Sequence, residues 1–379
     1  MLPVRERVLC PDRERAFPLL RAGGSGRKMC MFYRKKQTAL IIFFLVLLPG
    51  CASVSGGLYH HDSESDAAAP VVDYKPTLSY RMLITGVRLS GYKKIYADDA
   101  DTVIKRTRKF NDGLRQLPPK NFYRRFIVTE TTIHDRPCFL ITPKQNARTD
   151  RAVVFLYGGG FLLGIDFYHW NAIEYILSEL SVPVYVPLYP VYPEANPHAA
   201  ISFIDEIFVQ LHEANPAARI IGLGDSSGAC LLLGYCHYLT ATNAERFPDQ
   251  LILVSPAQVM GIDEPTLNKM RAIGKVDEGI SIDILENLPL IFNMNDDGEN
   301  WFHTPLYGDF SRFPPIAVFI GTYDLFYPLV QPFAEQVRSQ GKAIEVYTGI
   351  GMMHDWPYMP IASESRHALD AILEIIRRD

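Results

Sequence analysis

The sequence predicts an α/β fold in which helices flank a mostly parallel central β-sheet. Apolar runs of strand length alternate with helical segments along the 379-residue chain after residue 118. The later runs are continuously apolar, which is typical of strands that helices cover on both faces. Hydrophobic residues make up 48% of the chain and charged residues only 21%, so we expect a large buried core and no disordered or nucleic-acid-binding tail.

The predicted elements follow one another in a regular order. The runs at 124–133 and 136–143 predict a paired hairpin. Six further strands are predicted at 152–157, 182–189, 219–224, 251–256, 316–321 and 343–349. Helices are predicted between and after them, at 168–180, 199–214, 227–240, 328–340 and 362–377. Such alternation indicates a parallel sheet with helices on both sides.

Two segments stand outside this alternation. Residues 79–118 have the composition of helices with mixed charge, and two consecutive prolines end them. Residues 257–313 form a long, partly helical insertion that is rich in Asn, Asp and Gly. An insertion of this size in an α/β fold is often a lid or cap over a site.

The first fifty residues differ in composition from the rest of the chain. They carry ten basic and three acidic residues, and the stretch that begins at Met31 reads "MFYRKKQTALIIFFLVLLPGCAS". Basic residues at 34–36 precede an apolar run over 39–48, and a run this short is typical of a signal peptide rather than a membrane span. We therefore expect residues 1–50 to be a leader with a signal peptide, whose true start is Met29 or Met31.

The end of this leader, "LPGC", resembles a bacterial lipobox. In such a motif the peptidase cuts before the cysteine, here Cys51, and that thiol carries the lipid. We expect a protein that is lipid-anchored to a membrane of the bacterial cell envelope. A secreted or periplasmic soluble protein and an N-terminal membrane anchor are the alternatives. Residues 51–78 are small and polar and predict a tether to a folded domain over 79–379.

Charge and cysteine content narrow the possible partners. Removing residues 1–50 takes away a net charge of +7 and lowers the formal net charge from −4 to −11. An acidic mature protein argues against nucleic acid as a partner. Cys138, Cys230 and Cys236 remain besides the lipobox cysteine, and their spacing fits neither a metal site nor a disulfide framework. We expect three buried thiols.

The stretch "GLGDSSGAC" at 222–230 suggests a nucleophile. Gly224, Ser226 and Gly228 fit the pattern G-x-S-x-G, directly after a predicted strand and before a predicted helix, which is the context of a nucleophile elbow. Ser226 is the candidate nucleophile, because only this serine has glycines two positions before and after it. Ser227 then falls at the helix N-terminus, where its backbone N–H can face an oxyanion. A glycine-tight turn without catalysis is the alternative.

The stretch "YGGGF" at 157–161 follows a buried strand. Three glycines expose backbone N–H groups without obstruction by side chains, which is what an oxyanion-binding loop needs. A flexible loop or a phosphate-binding turn is the alternative. No Gly-Lys-Ser/Thr follows, which excludes a P-loop.

A nucleophilic serine needs a base, and the base needs an acid that orients it. Asp324 comes just after the predicted strand at 316–321, and His354 comes just after the last predicted strand. Each alone could be an ordinary loop residue. Together with the two glycine-rich motifs, they occur in the order that this scaffold requires and predict a triad with Ser226. Asp355 adjoins the base, but adjacent residues usually point apart, so Asp324 is the predicted acid.

These motifs resemble those of the hormone-sensitive-lipase-like branch of α/β-hydrolase esterases and lipases. That family carries His-Gly-Gly-Gly in the oxyanion loop, and this chain has Tyr-Gly-Gly-Gly at 157–160. The family's Gly-Asp-Ser-Ala-Gly is similar to residues 224–228, and its Asp-Pro-Leu is similar to the segment that begins with Asp324. His354 matches the family's late histidine. The segments 189–200 and 304–315 also resemble the family, and the likeness covers about residues 80–379.

The resemblance implies an α/β-hydrolase fold with a helical cap, to which the N-terminal segment at 79–118 contributes beside the 257–313 insertion. It also implies oxyanion donors at the N–H groups of Gly159, Gly160 and Ser227. The implied activity is that of a serine carboxylesterase for short- to medium-chain acyl esters, with small-molecule or lipid esters as substrates and no metal or cofactor.

The sequence departs from the family pattern at a few positions. Tyr157 stands where the family has histidine, and Phe326 and Tyr327 replace the polar residues that usually follow the acid. The sequence leaves three alternatives to the esterase: an amidase, a long-chain lipase, and a catalytically silent envelope binding protein on the same fold.

Overall fold

The computed structural model describes residues 58–61, 76–194, 197–214, 216–294, 303–359 and 361–378. Within them, nine strands form one sheet in the order β1-β9-β8-β7-β6-β4-β5-β3-β2. The strands are β1 (Leu58–His61), β2 (Phe126–Ile133), β3 (Arg136–Pro143), β4 (Arg151–Leu156), β5 (Val184–Pro187), β6 (Arg219–Asp225), β7 (Gln250–Val254), β8 (Ile316–Gly321) and β9 (Ile344–Gly349). Strands β4 to β9 are parallel, whereas β1 and the β2–β3 hairpin lie antiparallel at the two edges. The predicted fold class is confirmed.

The helices lie close to their predicted positions. In the described part of the chain they are α1 (Leu78–Ser90), α2 (Ala100–Gly113), α3 (Lys120–Arg125), α4 (Phe167–Leu180), α5 (Pro197–Ala214), α6 (Ser227–Thr242), α7 (Glu264–Ile273), α8 (Ile284–Ile291), α9 (Tyr327–Ser339) and α10 (Ser363–Arg377). Short 3₁₀ helices occur at Tyr92–Ile95 and Trp356–Tyr358. Helix α4 packs against α10, and α5 packs against α6.

The centre of the sheet is apolar throughout. Every residue of β4, β7 and β8 is buried, as are all residues of β6 except its first. Each fully buried Val, Leu, Ile or Phe side chain stabilises the fold by about 1.5–3 kcal/mol relative to exposure. The continuous apolar runs in the sequence therefore mark these strands. Because the strands are parallel, the loops after β4, β6, β8 and β9 emerge at the same edge, where sites of α/β folds lie.

The N-terminal helices and the described parts of the insertion, residues 257–294 and 303–313, form one cap. The ammonium group of Lys93 donates hydrogen bonds to the carbonyl oxygens of Gly274, at 2.7 Å, and Asp277, at 2.5 Å. The side-chain amide of Asn287 donates to the carbonyl of Asp98 at 2.7 Å, and α2 packs against α8. These contacts confirm the cap that the fold prediction included.

Strand β1 lies within the segment that the sequence predicts as a tether. It pairs antiparallel with β9, with Leu58 opposite Gly349 and His61 opposite Val346. The tether prediction did not anticipate this strand, because four residues are too few to show an alternating pattern. The predicted leader and signal peptide at 1–50 and the lipidation residue Cys51 lie outside the described residues. Among the described helices, none has the length and apolar character needed to span a membrane.

Candidate active site

Ser226 occupies the sharp turn between β6 and α6. Its backbone lies at φ 47° and ψ −117°, a conformation that costs energy for a residue with a Cβ atom. The flanking glycines are required by close approach of the backbone. A Cβ atom on Gly228 would lie 2.0 Å from the carbonyl oxygen of Leu156, and one on Gly224 would lie 2.8 Å from the carbonyl carbon of Gly228. The G-x-S-x-G pattern is therefore a steric requirement of this turn.

The structure brings together the three residues of the predicted triad. His354 Nε2 lies 3.0 Å from Ser226 Oγ, and His354 Nδ1 lies 3.1 Å from both carboxylate oxygens of Asp324. All three side chains are buried, and Asp324 is 0% exposed. A carboxylate at Nδ1 holds the proton on that nitrogen, which leaves the Nε2 lone pair directed at the serine hydroxyl.

The loops after β8 and β9 are held together by a second carboxylate, Asp277, which sequence reasoning missed. Its Oδ2 accepts a hydrogen bond from the backbone N–H of Leu325 and its Oδ1 accepts one from that of Gly279, both at 2.8 Å. Oδ1 also lies 3.4 Å from the backbone nitrogen of His354. Burial, with the nearby Asp324 carboxylate second, raises the pKa of Asp277 to about 6. Asp277 thus joins the cap insertion to the turn that carries Asp324 and to His354.

His354 has a carboxylate near each of its ring nitrogens. Burial alone would lower the pKa of His354, but the nearby carboxylates of Asp355 and Asp324 outweigh this effect and raise the pKa above its ordinary value. Asp355 Oδ2 lies 3.3 Å from His354 Nε2, the nitrogen that also faces Ser226. The expectation that this neighbour points away is wrong. Asp355 has a left-handed backbone with φ 56°, which turns its carboxylate back toward the imidazole.

The glycine loop after β4 adopts backbone conformations that favour glycine. Gly159 has φ 130° and Gly160 has φ 62°, and a Cβ atom on Gly159 would lie 2.9 Å from the carbonyl oxygen of Leu163. Ser227 is the first residue of α6, and N–H groups of the first turn of a helix have no partner inside that helix. Gly160 and Ser227 line the same cavity as Ser226. Two of the three residues predicted as oxyanion donors, Gly160 and Ser227, therefore lie beside the serine.

This cavity is small and mainly apolar. Its volume is about 20 Å³. It is lined by Gly160, Phe161, Ser226, Ser227, Cys230, Ala257, Gln258, Val259, Ile280, Ile284, Leu288 and Phe326. Gln258 is already bonded at both ends of its amide, to the carbonyl of Met260 at 2.9 Å and from the N–H of Leu306 at 3.1 Å. A group bound to Ser226 would therefore contact a mainly apolar surface in this cavity.

A sequence profile described as alpha/beta hydrolase fold matches residues 153–358, which is more than half of the chain. The chain belongs to the α/β-hydrolase family. The match begins in β4, and it includes the glycine loop, the serine turn, Asp324 and His354.

Individual relatives agree with this assignment. A triacylglycerol lipase from Mycobacterium tuberculosis is 24% identical over 234 residues, which cover 60% of this chain and 47% of the relative. This hydrolase therefore spans about half the length of that curated relative. A solved esterase of the bacterial hormone-sensitive lipase family matches with a TM-score of 0.64 and 19% identity over 80% of this chain and 99% of its own. An esterase/lipase from an uncultured bacterium matches with a TM-score of 0.63 and 15% identity over 79% of this chain and 98% of its own. The matching profile confirms the resemblance to α/β-hydrolases, and the solved esterases share the fold of the chain.

Tyr157, where the hydrolase departs from the family motif, is a core residue. Its ring stacks on Tyr189 with centroids 4.3 Å apart, and its hydroxyl donates to the carbonyl of Tyr189 at 3.1 Å. The hydroxyl of Tyr189 donates in return to the carbonyl of Tyr157. This reciprocal pair anchors the start of the glycine loop.

A buried histidine, His169, links the glycine loop to the serine turn. The backbone N–H of Asp166 donates to its Nδ1 at 3.0 Å, and its Nε2 lies 3.2 Å from Asp225 Oδ2. The backbone nitrogen of Gly158 lies 3.3 Å from the same Nε2. Sequence analysis missed this residue, although the spacing of Asp166 and His169 is that of a helix capping box.

Asp277, Asp324 and His354 could also be considered as metal ligands, since their donor atoms lie within 4.8 Å of one another. The fold already uses these atoms in hydrogen bonds. A cation between them would replace the contact of His354 Nδ1 with Asp324. The same atoms fit an acid–base pair with a supporting carboxylate more directly.

Proposed function

We propose that the protein is a serine carboxylesterase. The observation that carries the proposal is the chain of hydrogen bonds from Asp324 through His354 to Ser226, at a turn whose glycines are sterically required. Membership of the hydrolase family and the esterase and lipase relatives support a carboxylic ester as the substrate.

In the proposed reaction, Ser226 Oγ attacks the ester carbonyl carbon while its proton passes to His354 Nε2. The Asp324 carboxylate orients the ring and stabilises the imidazolium cation. When the tetrahedral intermediate collapses, the leaving alcohol takes the proton from Nε2 and the acyl group stays on the serine. Water then attacks the acyl-enzyme with His354 as the base, which releases the carboxylic acid and restores Ser226.

The oxyanion of the tetrahedral intermediate is assigned to the backbone N–H groups of Gly159, Gly160 and Ser227. Gly160 and Ser227 line the cavity beside the serine, which supports this role, because preorganised donors in a water-poor site stabilise charge that develops in the transition state. The link from Asp225 to His169 holds the serine turn and the glycine loop in register.

We infer short- to medium-chain acyl groups from the small apolar cavity. The test is a series of p-nitrophenyl esters from acetyl to decanoyl, with a matched butyryl anilide. We expect kcat/KM to be greatest between acetyl and hexanoyl and at least tenfold lower for the anilide. A maximum at decanoyl would favour a long-chain lipase, and faster anilide cleavage would favour an amidase.

A catalytically silent binding protein is separated from the esterase by a fluorophosphonate probe. Such a probe reacts only with an activated serine. We expect the folded protein to be labelled on the peptide that contains Ser226, and the Ser226→Ala variant to remain unlabelled. Failure of the folded wild-type protein to react would favour the silent protein.

We also propose that the protein is a lipoprotein of the bacterial cell envelope, anchored through Cys51. The support is the signal-peptide pattern that ends in the lipobox-like segment. Metabolic labelling with a radioactive fatty acid should label the wild-type protein and not Cys51→Ser. Equal labelling of both, or none of either, would contradict the anchor.

A further inference from the structure

Asp355 has an unfavourable backbone that the fold nevertheless holds in place. Its φ of 56° lies in the left-handed region, where a Cβ atom is disfavoured. The backbone N–H of Asp355 donates to Ser255 Oγ at 3.0 Å, and this contact fixes the conformation. Strained residues of this kind cluster at functional sites. The proposed triad does not require the Asp355 side chain.

The carboxylate of Asp355 faces the reacting nitrogen of the base. Oδ2 lies 3.3 Å from His354 Nε2, while Ser226 Oγ lies 3.0 Å from the same nitrogen. Oδ1 is buried, and none of the described residues donates a hydrogen bond to it. The residue as a whole is 8% exposed. A buried acceptor without a donor is costly, and a substrate group can supply that donor.

The position of this carboxylate distinguishes the two halves of an ester. The acyl half bonds to Ser226 and contacts the apolar cavity, whose lining does not include Asp355. The leaving oxygen must approach His354 Nε2, because it takes its proton from that nitrogen. Asp355 therefore lies on the side of the alcohol.

We propose that Asp355 binds a hydroxyl group of the alcohol half of the substrate, so that the enzyme prefers monoesters of vicinal diols. The Asp355 carboxylate and the leaving oxygen both lie next to His354 Nε2. The hydroxyl therefore has to be on the carbon adjacent to the one that carries the leaving oxygen. This inference rests on the proposed esterase function and adds the class of alcohol.

The surroundings of Asp355 favour a neutral hydrogen-bond donor on the alcohol over a cationic one. His354 becomes positively charged during the reaction, and a cationic alcohol would be repelled from it at this distance. Burial raises the pKa of Asp355 well above its ordinary value, although the neighbouring His354 opposes this effect. A carboxyl group can bond to a hydroxyl in either protonation state, because the hydroxyl both donates and accepts.

The test compares two butyrate esters of nearly equal shape, 2-hydroxyethyl butyrate and propyl butyrate. A hydrogen bond to a buried carboxyl predicts that wild-type kcat/KM is about tenfold or more higher for the hydroxylated ester. In Asp355→Gly, which suits the left-handed backbone, this ratio should fall to near one. Asp135→Gly is the matched control, because Asp135 is an exposed turn residue with φ 62°, and it should keep the wild-type ratio.

Each outcome has one interpretation. A wild-type ratio near one in an active enzyme would overturn the inference and leave the esterase function intact. A high ratio that persists in Asp355→Gly would also overturn it. A preference for butyrylcholine over both esters would assign a cationic alcohol instead. If the wild-type protein hydrolyses none of these esters and does not react with a fluorophosphonate, both the function and the inference fail.

Discussion

Replacing Asp277 with asparagine tests how the cap insertion supports the proposed acid and base. The side chain has nearly the same shape, but it cannot carry a charge. Both oxygens of Asp277 accept hydrogen bonds from backbone N–H groups, those of Gly279 and Leu325. An asparagine would place its NH₂ group against one of these donors, which costs about 1–3 kcal/mol.

The titration of the Asp277 carboxyl group determines the size and direction of the expected change in folding stability. The pKa of Asp277 is raised from 3.8 to about 6 in the folded protein. Between about pH 4 and about pH 6 the native state therefore holds a proton that the unfolded state has released. Folding stability is lost as the pH rises through this window, by about 3 kcal/mol in total. The asparagine of the Asp277→Asn variant does not titrate, so the variant does not lose this stability as the pH rises.

The assay is urea unfolding of the wild type and of Asp277→Asn at pH 4, 5, 6 and 7. We expect the variant to be less stable at pH 4 and the difference to shift in its favour by about 3 kcal/mol by pH 7. Asp263→Asn is the matched control, because Asp263 is an exposed N-cap whose carboxylate accepts from Thr266, and asparagine caps equally well. Parallel curves for the wild type and Asp277→Asn would refute the reasoning.

Three further substitutions test the rest of the site. Gly228→Ala forces a Cβ atom against the Leu156 carbonyl, so the free energy of unfolding should fall by more than about 1 kcal/mol and ester hydrolysis should fall with it; unchanged thermal stability would contradict the steric account. Tyr157→Phe keeps the stacked ring but loses the bond to Tyr189, and denaturant unfolding should show a loss of about 1 kcal/mol with kcat/KM within threefold of wild type. Leu288→Ala enlarges the cavity beside Ser226 and costs about 2–5 kcal/mol of stability. It should move the kcat/KM maximum to longer acyl chains, and an unmoved maximum would show that the cavity does not hold the acyl group.

The sequence predicted those parts of the molecule that depend on local patterns. Continuous apolar runs marked β4, β6, β7 and β8 because these strands are buried on both faces. The glycines around Ser226 marked its turn because no other residue fits there. Asp324 and His354 were found because the order of residues on this scaffold places them after two late strands.

The residues that sequence reasoning missed depend on contacts between distant segments. Asp277 meets Leu325 only because the insertion folds back over the loop after β8. His169 meets Asp225 across 56 residues of sequence. The orientation of Asp355 follows from a left-handed backbone that no neighbouring glycine signalled. Such contacts have no periodicity in sequence, so they become visible only in three dimensions.

The paired serines offer the most direct test of the central claim. Ser226 and Ser227 are neighbours of the same residue type, but only Ser226 Oγ lies within hydrogen-bonding distance of His354 Nε2. We expect Ser226→Ala to lower kcat for p-nitrophenyl butyrate by about 10³-fold or more, while Ser227→Ala, which keeps the backbone N–H, stays within about tenfold of wild type. Wild-type rates in folded Ser226→Ala, or a greater loss in Ser227→Ala, would contradict the assignment of Ser226 as the nucleophile.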